Sequence, residues 1–125
     1  MRNCLAVCYV FLNELEKAKP ILEENLINAK INNDLRLIGG VYNNLSRVYF
    51  YEGKYEKSVE MAESAKLNSD LAGMEVAKLE GEYLICKARV TQGLYEEALE
   101  RLLKLKKKLE AVSYTHLTLP TTPYV

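Results

Sequence analysis

The stretch VYNNLSRVYFYEGKYEKSVEMA, residues 41–62, decides the fold, because its pattern returns at an offset of 40 positions on either side. In it a leucine, a small residue, a tyrosine and a glycine follow one another at fixed distances, and similar residues hold the matching places twice more. Periods of about 20–50 residues indicate stacked supersecondary repeats. We therefore predict three copies of one unit, an architecture that usually serves binding. The matching sets are Leu5, Ala6, Tyr9, Asn13, Leu15 and Ala18, then Leu45, Ser46, Tyr49, Gly53, Tyr55 and Ser58, then Ile85, Cys86, Arg89, Gly93, Tyr95 and Ala98.

Helix-starting and helix-ending residues alternate along the chain. Asn33-Asp34 and Ser69-Asp70 can accept hydrogen bonds from first-turn amides, so we expect helices to begin there. Gly53 and Gly93 can adopt the left-handed conformation that ends a helix, so we expect tight bends there. No segment alternates apolar and polar residues as a strand would. The sequence is thus predicted to be all-α, with helices over residues up to 12 and over 15–31, 34–52, 55–67, 70–92 and 94–111.

Small and special residues predict how these helices pack. Ser46 and Ser58 are expected to let the central helix pair approach closely. Gly39-Gly40 lies inside a helix at a cost of about 1 kcal/mol per glycine, which predicts either a close backbone contact or a kink. Pro20 falls about one turn into its helix, where it is expected to bend the helix rather than break it.

The central copy resembles the tetratricopeptide repeat, whose signature is aromatic-x2-Leu-small-x2-Tyr followed by Ala-x3-aromatic. It reads here as Tyr42-x2-Leu45-Ser46-x2-Tyr49 and Ser58-x3-Ala62. The resemblance implies an α-solenoid of antiparallel helix pairs, a right-handed superhelical fragment of about six helices. The corresponding residues of the other copies are Arg2-x2-Leu5-Ala6-x2-Tyr9 with Ala18-x3-Leu22, and Glu82-x2-Ile85-Cys86-x2-Arg89 with Ala98-x3-Leu102.

The chain departs from the family pattern in three ways. The spacing is 40 residues against the family's usual one of about 34, the closing proline is absent, and Arg89 replaces the tyrosine. We assign the repeat units to residues 1–32, 33–69 and 70–111, the first of them beginning partway along its helix. Terminal repeats normally carry a polar capping face. Neither end shows one, so the uncapped ends would allow self-association.

In such stacks the first helix of each pair lines a concave groove, and the resemblance implies that this groove binds an extended or helical peptide. Arg47 and Lys87 are repeat equivalents and would form a two-rung cationic ladder, beside which the amide of Asn43 could bond a peptide backbone. Guanidinium pairs bidentately with carboxylate, which predicts a ligand with an acidic side chain or a free carboxyl terminus. The alternative is that both cations are solvated surface charges paired with helix neighbours. The predicted groove residues are Asn3, Asn43, Arg47, Tyr51, Tyr83, Lys87 and Thr91.

Charge balance and hydropathy narrow the partners. Lys+Arg and Asp+Glu are both 17, so no bulk charge favours nucleic acid or a membrane surface. The longest apolar run, Cys4 to Leu12, is too short for a membrane span, and the N-terminus lacks a signal-peptide layout. We therefore expect a cytoplasmic protein whose partner is a protein or peptide.

Catalytic and metal-binding motifs are weak. Cys4 and Cys8 share a helix face, but tetrahedral zinc needs four ligands, so we interpret these cysteines, like Cys86, as small buried packing residues. No glycine-rich phosphate loop is present, and outside the C-terminal tail no histidine could activate a nucleophile. These observations predict a protein that is not an enzyme and needs no cofactor or metal.

A basic cluster lies near the predicted end of the last helix. It consists of Lys104, Lys106, Lys107 and Lys108. We interpret the cluster as stabilising the helix, because cations at a helix C-terminus offset the helix dipole. The alternative is that the cluster contacts nucleic acid.

Residues 112–125 differ in composition from the rest of the chain. They contain no charged residue. They do contain the one histidine of the chain and two of its three prolines. The string VSYTHLTLPT, residues 112–121, resembles a translated sequencing-library adapter. We therefore interpret this segment as a non-native or disordered tail, which would end the natural chain near Ala111.

The sequence as a whole predicts a non-catalytic module that binds a protein or peptide. The alternative is the peptide-sensing half of a larger bacterial transcription regulator, which the long repeat and the asparagine-bearing groove resemble, or of a sensor kinase. No DNA-reading module occurs in residues 1–111, so this alternative rests on analogy.

Overall fold

Six helices form the architecture of the computed structural model, which describes the backbone of residues 2–121 and the side chains of residues 4–111. The predicted all-α class is confirmed, and the described residues contain no strand. The helices are α1 Arg2–Phe11, α2 Leu15–Ile31, α3 Leu35–Tyr51, α4 Tyr55–Leu71, α5 Glu75–Thr91 and α6 Tyr95–Thr121.

Every turn between helices uses the same backbone geometry. In each turn the second residue after the helix has a positive φ. The amide of the residue that follows it donates to the carbonyl five residues earlier in the chain, at 2.8–2.9 Å. This arrangement satisfies carbonyls that the helix end leaves unpaired and reverses the chain. Consecutive helices from α2 onward therefore begin 20 residues apart. The positive-φ residues are Asn13, Asn33, Gly53, Gly73 and Gly93.

The predicted helix boundary at Ser69-Asp70 is wrong. Helix α4 continues to Leu71, and Gly73 makes the turn with φ +71°. Ser69 is buried inside α4 instead of capping α5. The predicted cap at Asp34 is confirmed, because its carboxylate accepts a hydrogen bond from the Leu37 amide at 3.2 Å.

The last helix also differs from the prediction. Helix α6 continues to Thr121, past the predicted end at Ala111. The lysine cluster of residues 104–108 thus lies inside the helix, and the last turn of α6 contains no basic residue. The helix-dipole interpretation of the cluster is therefore wrong. The tail's predicted lack of packing stays a prediction, because the side chains of residues 112–125 lie outside the described ones.

Small residues lie where the two helices of each pair cross, as predicted. In the central pair the Ser46 hydroxyl donates to the Ser58 carbonyl, and the Ser58 hydroxyl donates to the Ser46 carbonyl, both at 2.8 Å. A larger side chain would separate the backbones and break both bonds. The equivalent residues of the other pairs, also fully buried, are Ala6 with Ala18 and Cys86 with Ala98.

The helices are arranged in two layers. Each helix packs against the next, and α1, α3 and α5 also contact one another in order. Within the described residues no close backbone approach joins α2 to α4 or α4 to α6, although Arg101 on α6 lies 3.7 Å from a Glu63 carboxylate oxygen on α4. The odd-numbered helices therefore form the inner layer of a helical solenoid like that of tetratricopeptide repeats, and the even-numbered helices form the outer layer.

Glycines allow the closest approaches between α3, α4 and α5. A Cβ added to Gly39 would lie 2.5 Å from Ser69 Oγ, which confirms the predicted close contact, whereas one on Gly40 would meet nothing within 4 Å. A Cβ on Gly81 would lie 2.8 Å from Lys66 Cγ and 3.2 Å from the Ala62 carbonyl oxygen. Helix α2 runs unbroken through Pro20.

Gly81 and Gly40 make a matched pair for testing these contacts. Alanine favours a helix over glycine by about 0.5–1 kcal/mol. We expect Gly40→Ala to raise the free energy of unfolding by about that amount. Gly81→Ala should lower it by about 1–2 kcal/mol, because crowding against α4 outweighs the helix preference. Urea unfolding followed by circular dichroism measures both, and equal stabilisation by the two variants would contradict the close approach at Gly81.

Charged side chains replace aromatic ones in the third helix pair. Glu82 and Arg89 occupy the places that Tyr42 and Tyr49 hold in the second pair. Arg89 bonds Glu56 on α4 at 2.7 Å and lies 2.6 Å from a Glu97 oxygen on α6. The departure from the family tyrosine thus links three helices by ion pairs.

Glu82 makes the same kind of link near the middle of α5. Its carboxylate accepts hydrogen bonds from Lys66 on α4 at 2.6 Å and from Arg101 on α6 at 3.1 and 3.2 Å. Partial burial opposes ionisation, but the two cations outweigh burial and lower the pKa of Glu82 below its usual value near 4.5.

Glu82→Gln should reduce both stability and its dependence on pH. A carboxyl group whose pKa is lower in the folded than in the unfolded state stabilises the fold above its unfolded pKa, and this contribution is lost as the pH falls through the folded value. We expect the variant to lose about 1–2 kcal/mol at pH 7 and the difference from the parent to shrink below about pH 4.5. Urea unfolding at several pH values measures this. Exposed Glu60→Gln is the control, and a pH-independent difference would contradict the interpretation.

Candidate functional site

Six of the seven predicted groove residues lie on the inner helices α3 and α5, and Asn3 belongs to α1. We call this surface the inner face and define it by Arg47, Tyr51, Tyr83 and Lys87. Its rings are accessible, since Tyr51 is 46% and Tyr83 53% exposed. The face therefore offers aromatic surface beside cationic groups.

Arg47 is held in an ion pair between the inner helices α3 and α5. One of its terminal nitrogens lies 3.1 Å from a Glu80 carboxylate oxygen on α5, and the other donates to the Asn44 side-chain oxygen at 3.1 Å. The arginine side chain is 24% exposed and that of Glu80 is 36% exposed. The guanidinium is thus positioned on the face but already shares its charge with a carboxylate.

Lys87 lies over aromatic rings instead of beside a carboxylate. Its ammonium is 4.7 Å from the centroid of Phe50 and 5.3 Å from that of Tyr51. Phe50 packs edge-to-face on both Tyr51 and Tyr55, with each pair of centroids 5.5 Å apart. These cation–π contacts fix the lysine while leaving its hydrogen-bond donors available.

Asn43 lies in the contact between α3 and α5 and does not lie on the open face. It is 1% exposed, and its amide nitrogen donates to the Ala77 carbonyl at 3.1 Å. The approach of Gly81 brings α5 close to it, since a Cβ at that glycine would lie 3.3 Å from the Asn43 side-chain oxygen. We therefore assign Asn43 to positioning α5 against α3 instead of to a ligand.

The remaining predicted residues lie at the margins. The side chain of Asn3 lies outside the described residues. The Thr91 hydroxyl is exposed and donates to the Lys87 carbonyl of its own helix at 2.9 Å. Sequence reasoning missed Phe50 and Glu80, although Phe50 follows Arg47 by one helical turn and Glu80 precedes Lys87 by two. That spacing was the available signal. It was insufficient because Phe50 contacts Lys87 and Glu80 contacts Arg47, each on the other helix.

Comparison with known families gives one match. A sequence profile described as tetratricopeptide repeat matches residues 39–66, from within α3 to within α4. The match contains the Ser46–Ser58 crossing and part of the inner face. Searches of curated proteins and of solved structures returned no match for the chain.

The match to this family supports a general class of function for the matched repeat. Such repeats are protein–protein interaction modules and are typically non-catalytic. Neighbouring helix pairs share its crossing and turn geometry, so the described part of the chain is one repeat-like stack. No helix of the described residues is both long and apolar enough to cross a membrane.

The cysteines differ in accessibility. Cys86 is buried as predicted, but Cys4 and Cys8 are exposed, so their predicted burial is wrong. The repeat equivalents of Cys4 are Asn44 and Leu84, those of Cys8 are Val48 and Ala88, and all four are buried. They belong to α3 and α5, which follow another helix pair, whereas α1 is the first described helix. Among the described residues no group of three or more His, Cys, Asp or Glu side chains could hold a metal ion.

Thiol labelling distinguishes these environments. We expect two of the three cysteines to react quickly with a maleimide in the native protein, because Cys4 and Cys8 are exposed. Burial, and then the nearby Glu82 carboxylate, raise the pKa of the Cys86 thiol, which lowers its thiolate fraction. Cys86 should therefore react only after denaturation. Mass spectrometry of the labelled peptides measures this, and rapid native labelling of Cys86 would contradict the packing at the α5–α6 crossing.

Proposed function

We propose that this protein binds a peptide segment of a partner protein on the inner face and that the segment carries an acidic side chain or a free carboxyl terminus. The observation that carries the proposal is the placement of Arg47 and Lys87 on adjacent inner helices beside two exposed tyrosines. A binding surface of aromatic rings and cations suits a peptide, because rings supply contact area at low entropic cost and cations fix a carboxylate.

The existing ion pair of Arg47 is compatible with this role. Partly exposed ion pairs contribute only about 0–1 kcal/mol, so exchanging the Glu80 carboxylate for one from a ligand costs little. Glu80 would then be displaced toward solvent, where its side chain already has access. A ligand carboxylate would thus bind by competition with a residue of the protein itself.

Lys87 supplies the second charge without needing to break a salt bridge with a described residue. Its ammonium rests on the Phe50 and Tyr51 rings, which accept no conventional hydrogen bond. A bound carboxylate would add charge-assisted hydrogen bonds to a group that packing already orients. We therefore expect Lys87 to contribute more to affinity than Arg47.

Charge reversal of both cations tests the proposal. The probe is an array of extended peptides, each made with acidic or neutral side chains and with a free or an amidated carboxyl terminus. We expect the parent protein to prefer acidic, free-carboxyl peptides, and Arg47→Glu with Lys87→Glu to weaken binding about tenfold or more, since each lost charged contact is worth about 1.5–3 kcal/mol. Fluorescence anisotropy measures the affinity.

The matched control reverses two lysines on other surfaces, Lys17 and Lys57, both of which are exposed. It makes the same change of net charge without altering the inner face. Loss of affinity in the control as well would indicate non-specific electrostatic attraction. Unchanged affinity after reversal of Arg47 and Lys87 would end the proposal that these residues form the site.

A further inference from the structure

The outer layer contains a cleft on the side of the molecule opposite the inner face. Helices α4 and α6 both pack on α5 but make no comparable contact with each other within the described residues. Between them lies a cavity of about 530 Å³, which is within the range of about 300–1,000 Å³ that small ligands occupy. We call it the outer cleft.

Five lysines line the outer cleft, from all three helices that surround it. Among the described side chains of the lining, one is acidic, and it is Glu82. Leu79, Leu105 and Ala111 supply apolar wall between the charges. The lysines are Lys66, Lys78, Lys104, Lys107 and Lys108.

The carboxylates nearby neutralise only part of this charge. Glu82 is shared between Lys66 and Arg101, at 2.6 and 3.1 Å. Lys78 bonds Asp70 at 2.9 Å, and Lys108 also helps lower the pKa of that aspartate, after the larger effects of Lys78. Lys104 lies 3.6 Å from Glu100, but both side chains are largely exposed, so that pair contributes little.

The positive charge is not a requirement of the repeat. The six charged positions of the cleft correspond, 40 residues earlier, to the junction of α2, α3 and α4, where none of the equivalent residues is charged. The same helix geometry is thus built there without lysine at these positions. The equivalent residues are Leu26, Ile38, Tyr42, Ser64, Leu67 and Asn68.

The helix dipole does not account for the lysines either, because α6 continues to Thr121 and its last turn contains no basic residue. In a chain with equal numbers of acidic and basic residues, a local excess of cations around one concave site opposes folding through repulsion. An anion bound in the cleft would relieve that repulsion.

We propose that the outer cleft binds a small, phosphate-rich organic anion. Lysine ammonium groups are compact point charges that bind phosphate, and five of them line the cleft beside a single carboxylate among the described side chains. Several lysines converging from three helices match several phosphate groups on one molecule. The apolar wall at Leu79 and Leu105 accommodates the organic part.

The test uses the full chain at low ionic strength, with metal-free ATP and inorganic triphosphate as probes. Isothermal titration calorimetry should give saturable one-site binding of both, and amide NMR signals of Leu79, Glu82 and Leu105 should shift. Lys107→Gln with Lys108→Gln should weaken binding about tenfold or more, since two charge-assisted contacts are lost.

The matched control is Lys106→Gln with Lys57→Gln. Lys106 belongs to the same cluster but lies 3.8 Å from Glu110 and lines a different hollow of α6, and Lys57 is an exposed residue of α4. This variant should bind within about twofold of the parent, because neither residue reaches the cleft and distant surface charges are screened. Circular dichroism confirms that both variants fold, as expected for exposed lysines.

Three outcomes would overturn the proposal. The first is no saturable binding of either probe. The second is an equal loss of affinity in the control variant, which would mean attraction by net charge alone. The third is tight binding of a single-stranded DNA 12-mer together with no binding of ATP or triphosphate, which would assign the lysines to a nucleic-acid contact.

Discussion

The structure depends on how closely two antiparallel helices can approach at their crossing. In the central pair this distance is set by Ser46 and Ser58, whose hydroxyls each donate to the carbonyl of the other residue. Backbone groups inside a helix already have partners, so these extra bonds form only when nothing larger than a hydroxymethyl group lies between the helices. The other pairs meet the same constraint with alanine and cysteine, which fit without the bonds.

The close approach of the helices also positions polar side chains on α3, α4 and α5. Gly81 brings α5 close to α4 and encloses Asn43, whose amide then bonds the Ala77 carbonyl. With α5 fixed in this way, Glu80 lies beside Arg47 on one side of the helix and Glu82 lies beside Lys66 on the other. The charge arrangement of both surfaces therefore follows from small residues in the interior.

Sequence reasoning identified the features that repeat and missed those that depend on one neighbour. The 40-residue period identified the crossings, and Gly53, Gly93 and Asp34 were correctly assigned to turns and a cap. The predicted boundary at Ser69-Asp70 was wrong because serine and aspartate favour helix starts even where, as here, they lie inside a helix. The turn signal was Gly73, a few residues further on. Consistent use of the 20-residue spacing of turns would have placed that boundary correctly.

The candidate site was less predictable, for a physical reason. Helical spacing places Arg47 and Lys87 on equivalent faces, but it does not say which side chains approach from the next helix. Glu80 and Phe50 reach those cations only after α3 and α5 pack together. Asn43 likewise becomes buried only when α3 and α5 pack together.

The contact pattern of the helices also determines how the molecule deforms. No described helix touches another that is more than two places away in the chain, so a small rotation at one turn alters only the adjacent junctions. Rotations at successive turns add along the axis, and the curvature of the inner layer can change without any crossing being disrupted. A change in the distance between the ends of such a stack therefore needs only a small adjustment at each junction.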